Sequence, residues 1–211
     1  MDSFNPQNLS NIVWAFATAG ESHSELFNRV GDHIVARISD DFRPQALANT
    51  AWAFATSGVA HRELFKTIGD HVSELGILNF FDPRELSITA WAFATSGVSH
   101  SELFEKIGNH VVGPGGLGSF KPRDLSNTAW AFATAGVSHP ELFKKIGHHV
   151  AEQGCFDSFK PQELSNTSWA FATVGQSNPS LFKKIGDHLA GQDRLNSFDP
   201  QALSNIALAF A

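Results

Sequence analysis

The sequence predicts an all-α protein, an α-solenoid of stacked helical hairpins with a 38–39 residue repeat, on three observations. The tryptophans Trp14, Trp52, Trp91, Trp130 and Trp169 are spaced by 38, 39, 39 and 39 residues, and Leu208 takes the sixth place after another 39. Around each lies one string, Phe-x-Pro-(Gln/Arg)-x-Leu-(Ser/Ala)-(Asn/Ile)-x-x-Trp-Ala-Phe-Ala-Thr-x-Gly, beginning at Phe4, Phe42, Phe81, Phe120, Phe159 and Phe198. Between copies sits a second string, (His/Asn)-x-(Glu/Ser)-Leu-Phe-x-x-(Val/Ile)-Gly-x-His, beginning at His23, His61, His100, His139 and Asn178. A fixed period of this length marks a helical-repeat array, in which no repeat buries its apolar face alone. The expected organisation is a single array over residues 1–211. It comprises a first Trp helix at 4–20, repeats at 21–58, 59–97, 98–136 and 137–175, and an incomplete repeat at 176–211.

The Trp string reads as a helix over roughly residues 6 to 19. Pro6 suits the first helical position, Gly20 the left-handed C-terminal cap, and Leu9, Val13, Phe16 and Ala17 recur at helical spacing. Phe4 and Leu9 stand at the two places of a hydrophobic staple, as do their equivalents down to Phe198 and Leu203. The His string reads as a second helix opening just after His23. Pro140 and Pro179 sit at first helical positions, and Leu26, Phe27, Val30 and Ile34 form an apolar face. The ends of these helices are expected to differ: Gly113-Pro114-Gly115-Gly116 stops the third early, whereas His33 to Ser39 lets the first run on.

Composition narrows the class. A content of 42% hydrophobic and 17% charged residues is that of a folding chain rather than a disordered one. No apolar run has the roughly 18 to 20 residues of a membrane span, and Met1-Asp2-Ser3-Phe4 has no signal-peptide character. The single cysteine, Cys155, makes no internal disulfide and is expected to be incidental. The formal charge of -6 conceals an asymmetry: residues 1 to 105 hold six basic and thirteen acidic side chains, residues 106 to 211 nine and eight. A polyanion is expected to prefer the second half.

Internal repetition separates scaffold from candidate function, because positions fixed in every copy build the fold and exposed ones that vary are free to differ in what they contact. Polar pairs follow each His-helix phenylalanine: Asn28-Arg29, Lys66-Thr67, Glu105-Lys106, Lys144-Lys145 and Lys183-Lys184. Stacking aligns Arg29, Lys66, Lys106, Lys144, Lys145, Lys183 and Lys184 as a basic ridge that could track phosphates. Asn28, with Asp32, Asp70, Asn109, His148 and Asp187 one turn on, could read base edges. The competing expectation is a solvated face with surface pairs such as Lys66/Asp70 and Lys183/Asp187. On the Trp helix, Gln7, Asn11, Trp14 and Thr18 form a second stripe, joining an amide to an aromatic ring as recognition of unpaired bases requires. Here a structural role is expected instead: Asn11, Asn49, Asn127, Asn166 and Asn205 bonded to neighbouring backbone, and the indoles filling the core between repeats. Ile88 replaces the asparagine in the third copy.

The histidines do not suggest a metal. Equivalent residues in adjacent repeats stand about 10 Å apart if helices pack at the usual distance, against about 2 Å for a ligand bond. His23, His61, His100 and His139 are expected to cap helices, and His33, His71, His110, His149 and His188 to pack against the glycine two residues before them. Neither a phosphate-binding glycine loop nor a nucleophile with its base stands out, so no enzymatic activity and no cofactor are expected.

The string Pro161-Gln162-Glu163-Leu164-Ser165-Asn166-Thr167-Ser168-Trp169-Ala170-Phe171-Ala172 closely resembles the second helix of octotricopeptide repeats, and all six copies carry it in some form. The first helix departs, opening with His139-Pro140-Glu141-Leu142-Phe143 where that family has Pro-Pro-Pro-Glu-Trp. The resemblance implies an α-solenoid that binds single-stranded RNA in mitochondria or chloroplasts, related in style to FAST-kinase-like proteins, and acts in RNA processing, stability or translation. Such repeats are often accompanied by a C-terminal RAP domain; with the string broken off at Ala211, the chain is expected to be a fragment of a longer protein. The rival expectation, favoured by net charge, is a scaffold that holds a peptide or partner helix in its concave face.

Overall fold

Each Trp string folds into one helix and each His string into another. The computed structural model describes residues 4–38, 42–114, 116–153, 156–191 and 194–210. Among these the helices are α1 Pro6–Thr18, α2 Ser24–Val35, α3 Pro44–Ser57, α4 Arg62–Val72, α5 Pro83–Ser96, α6 Ser101–Val112, α7 Pro122–Ala135, α8 Pro140–Gln153, α9 Pro161–Thr173, α10 Pro179–Leu189 and α11 Pro200–Phe210, and the described residues contain no strand. Short 3-10 turns at Ile77–Phe80, Gly116–Ser119, Phe156–Ser158 and Arg194–Ser197 precede α5, α7, α9 and α11. The third His helix, α6, ends just before Gly113, as its glycine-rich follower dictates. The first, α2, ends at Val35, short of the run towards Ser39, which itself lies outside the described residues with Cys155.

The chain divides into two compact units, Met1–Ile107 and Gly108–Ala211. Within the first, α1, α3 and α5 lie side by side as one layer, with α2 and α4 as the other; within the second, α7, α9 and α11 form one layer and α8 and α10 the other. The Trp helices pack more closely on each other than the His helices do. Their composition explains this, since the buried residues of α3 include Ala46, Ala48, Thr50, Ala51 and Ala53, small enough to let backbones approach. The larger side chains join the layers. Phe27 of α2 meets Phe54 of α3 edge to face at 5.1 Å, Phe65 meets Phe93 at 5.1 Å, and Phe143 meets Phe171 at 5.2 Å. These six rings are fully buried and supply apolar area together with favourable quadrupole geometry.

Local chemistry sets the helix ends. All the Trp helices begin with proline, whose missing N–H costs nothing at the first position. Gly58, Gly97 and Gly136 then close α3, α5 and α7 in the left-handed conformation, at φ 68°, 68° and 65°. Both members of the staple are buried at Phe42/Leu47, Phe81/Leu86 and Phe120/Leu125, whereas Phe4, at the start of α1, is exposed.

The His helices carry their own caps. The Nδ1 atoms of His23, His61, His100 and His139 accept the backbone N–H of Leu26, Leu64, Leu103 and Leu142 at 3.1 to 3.3 Å, and Asn178 Oδ1 does the same for Leu181 at 3.0 Å. A ring nitrogen that accepts must leave its proton on the other nitrogen, so Nε2–H is the donor. It donates to Asp32 Oδ1 from His61 at 3.2 Å, to Asp70 Oδ1 from His100 at 3.1 Å, and to Asn109 Oδ1 from His139 at 3.3 Å. The same rings lie edge on to Phe54, Phe93 and Phe132 at 5.9 to 6.0 Å. One imidazole thus caps its own helix, packs on the preceding Trp helix and bonds the preceding His helix.

This arrangement corrects the expected role of the glycines. A β-carbon on Gly31, Gly69 or Gly108 would stand 2.3 to 2.4 Å from the Cδ2 of His61, His100 or His139, and one on Gly147 would stand 2.1 Å from Asn178. The side chain seated on each glycine is therefore the capping residue of the following repeat. The second histidine set serves differently: His71 is buried with Nδ1 3.5 Å from Glu74, and His188 stacks at a tilt on Phe156 at 5.9 Å.

Candidate functional site

The basic ridge exists as a surface, but most of its charges are met within the chain. Lys66 donates to Asp70 at 2.5 Å and Lys183 to Asp187 at 2.7 Å, both one turn along the same helix, while Lys144 lies 3.8 Å from Glu141. The Asp70 partner lifts the Lys66 ammonium above its ordinary range and is itself held low, chiefly by the Lys66 hydrogen bond. Lys145 and Lys184 reach back to the carbonyls of Val112 and Ala151, in the last turns of α6 and α8, where the helix dipole favours a cation. Asn28, Arg29 and Lys106 stand exposed.

The base-reading candidates are engaged too. Asp32, Asp70 and Asn109 accept the imidazoles of the following repeat, His148 lies 3.1 Å from Glu152, and Asp187 holds Lys183. Three of the six are thereby joints between repeats. Asp32 and Asp70 nonetheless keep 77% and 54% of their side-chain surface exposed. Beside Leu117 and Glu152, the side chains of Lys144, Lys145 and His148 line a shallow open cleft of mixed charge.

The Trp helices present a different face. Trp52, Trp91, Trp130 and Trp169 are half-buried rather than enclosed, and Trp14 is 44% exposed. Asn49, Asn127 and Asn166, one turn before their tryptophans, are half-buried as well, while Asn11 accepts from Gln7 Nε2 at 2.9 Å, within its own helix. The indoles of α3, α5, α7 and α9 thus sit between core and solvent, and those of Trp130 and Trp169, on successive Trp helices, meet at a centroid distance of 6.4 Å. Phenylalanine fills the space between the layers. The stripe of Gln, Asn, Trp and Thr reaches solvent in part.

Two further features of this face are readable in the sequence. The first place of the stripe is Gln7, Gln45, Gln162 and Gln201 in four copies, but Arg84 and Arg123 in the other two, all of them exposed except the half-buried Gln7. The residue before each N-terminal proline also varies. Asn5, Asp82 and Asp199 accept the N–H three residues on at 2.7 to 2.8 Å, a strong cap. Arg43, Lys121 and Lys160 occupy that place in α3, α7 and α9 and have no side-chain acceptor to offer. In α7 and α9, Asp124 and Glu163 accept the N–H of Lys121 and Lys160 at 3.0 and 2.8 Å, so those carboxylates are turned to the backbone. The result is a cation at the positive end of a helix, an arrangement that costs stability.

Among the described residues no group of three or more His, Cys, Asp or Glu could hold a metal ion, and no helix is long and apolar enough to cross a membrane. No protein-family model matches the chain, and no curated protein matches it.

Proposed function

We propose that this chain is an α-solenoid segment that binds single-stranded RNA along its Trp helices. The observation that carries the reading is the half-buried tryptophan with a half-buried asparagine one turn away, repeated on α3, α7 and α9. Aromatic faces stack bases of any sequence, and a free amide offers both a donor and an acceptor to a base edge. The resemblance of the Trp string to octotricopeptide repeats supports the same ligand and, with it, a role in organellar RNA processing, stability or translation without catalysis. The ridge on the His helices contributes a weaker, distributed field, since its lysines exchange partners readily at the surface.

A protein-binding scaffold is the second reading, favoured by the acidic first half of the chain, where thirteen carboxylates face six basic groups. Titration of the purified chain against labelled mixed-sequence single-stranded RNA at two salt concentrations separates the two. Binding that weakens with salt supports RNA. Absence of binding at low salt, by a chain that is folded and monodisperse, supports the scaffold. Changing Lys144, Lys145, Lys183 and Lys184 to glutamine tests the ridge, and leucine at Trp52 and Trp130 tests the stripe.

A further inference from the structure

One half of the joint between repeats stands open on α1 and α2. At α5 and α6 the joint is complete. Phe93 is 1% exposed against Phe65 of α4, Leu103 is fully buried, and His100, seated on Gly69 and bonded to Asp70, keeps 11% of its side chain exposed. The equivalent places on α1 and α2 are Phe16, Leu26 and His23. Phe16 is 37% exposed, Leu26 half-exposed and His23 exposed. His23 nonetheless caps α2 through Nδ1 at 3.3 Å, so its Nε2 carries the proton, and that donor has no partner among the described residues.

The completed joints say what fits there. A His helix supplies the cover each time: Phe27, Phe65 and Phe143 lie edge on to Phe54, Phe93 and Phe171. Four residues on, each of these helices has a glycine, on which the capping side chain of the next His helix rests. In α2, α4 and α6 the residue after that glycine, Asp32, Asp70 or Asn109, accepts the imidazole Nε2–H. A helix that completes the joint at His23 must therefore carry Phe-x-x-(Val/Ile)-Gly-(Asp/Asn). The phenylalanine meets Phe16, the glycine leaves room for the ring, and the acceptor takes its proton. An amphipathic helix without the glycine covers the apolar part but collides with the imidazole, since a β-carbon at Gly69 would stand 2.3 Å from His100.

We propose that Phe16, His23 and Leu26 form a docking site for one amphipathic helix of that sequence, supplied by a separate polypeptide. The contact continues an interface that the described residues build in full at Gly31/His61, Gly69/His100 and Gly108/His139. It stands whether or not the chain binds RNA. A second copy of this chain is a poor occupant, because its Gly31, Gly69, Gly108 and Gly147 are already buried under the following repeat. Its α10, where Gly186 is half-exposed, is followed by α11 in the place that α1 would need.

The test uses the whole chain and a fluorescein-labelled peptide of residues 61–73, which holds Phe65, Gly69 and Asp70. The peptide is stapled as a helix through positions 62 and 66, both exposed in α4. Saturable binding with a Kd on the order of 10 µM is expected by fluorescence anisotropy. The decisive comparison is the same peptide with Gly69→Ala. Alanine favours the helix, so a face that accepts any amphipathic helix would bind this peptide equally or more tightly. At the proposed site the added methyl meets His23, and affinity is expected to fall about tenfold or more. Phe16→Ala in the chain is expected to weaken the parent peptide by a similar factor while the melting temperature stays within about 2 °C, as for a surface substitution. Equal affinity for the two peptides, or no saturation by about 1 mM, would overturn the proposal. Dimers of the chain that Phe16→Ala abolishes and the peptide does not displace would also overturn it, assigning the face to a second copy.

Discussion

The Cδ2 atom of His100 stands where a β-carbon on Gly69 would come within 2.3 Å of it, while the Nε2 of the same ring bonds Asp70 at 3.1 Å. Thirty-one residues of sequence separate a glycine from the side chain it makes room for. Because the same joint recurs at Gly31/His61 and Gly108/His139, it is the element that couples one repeat to the next.

Gly69→Ala is a sensitive test of that joint. In an ordinary helix interior alanine stabilises by about 1 kcal/mol over glycine. Here the new methyl must displace an imidazole packed against Phe93, and a net loss of about 1 to 3 kcal/mol is expected. Urea unfolding of Gly69→Ala, His100→Ala and the double variant forms a cycle. The double variant is expected to be more stable than the sum of the single losses implies, and simple additivity would show that the ring and the glycine are not coupled.

His100→Asn imitates the natural joint at Asn178, whose Oδ1 caps α10 at 3.0 Å. It is expected to retain the cap, whereas His100→Ala loses it and costs about 1 kcal/mol. Thermal unfolding of the two variants gives the comparison; equal losses would mean the cap contributes nothing and only the ring's packing matters.

Lys121→Asp sets stability against binding. It restores the side-chain cap that Asp82 provides in α5 and removes a cation from the positive end of α7, for an expected gain of about 1 kcal/mol. RNA affinity is expected to fall in the same variant, with a shallower salt dependence as one phosphate contact is lost. A gain in stability with unchanged affinity would show that Lys121 meets no phosphate.

Acid should weaken the second unit through His110 and His149. Burial holds both imidazoles below the ordinary histidine range, opposed at His149 by Glu152. Unfolded chains then take up protons at a higher pH than the folded state, so the stability from these groups is present above the unfolded value near 6.5 and is lost as pH falls below it. Melting temperature is expected to drop between pH 7.5 and 5.5, with a smaller drop in a His110→Gln/His149→Gln variant. An unchanged pH profile in that variant would assign the acid sensitivity elsewhere.

Much of this molecule follows from reading along the chain, because helix formation and helix ending are local events. The period was legible from the repeated strings, and the proline starts, the glycine stops at Gly58 and Gly97, and the histidine caps were legible because each depends on residues within about one turn. Which face of the Trp helix meets solvent was not. That helix is lined with small residues on one side and bears Phe and Trp on others, so its apolar pattern alone does not say whether phenylalanine or tryptophan is enclosed. Tertiary packing decided it. Close approach through Ala46, Ala48 and Ala51 left space for Phe54 against the other layer and left Trp52 half-buried at the edge. The partners of Gly69 and Asp70 were likewise beyond reach of the sequence, since the register between successive repeats is set by how whole helices stack. The sequence by itself determined the helices and their order; the stacking of one helix on another determined which of its repeated residues became joints and which became the exposed stripe.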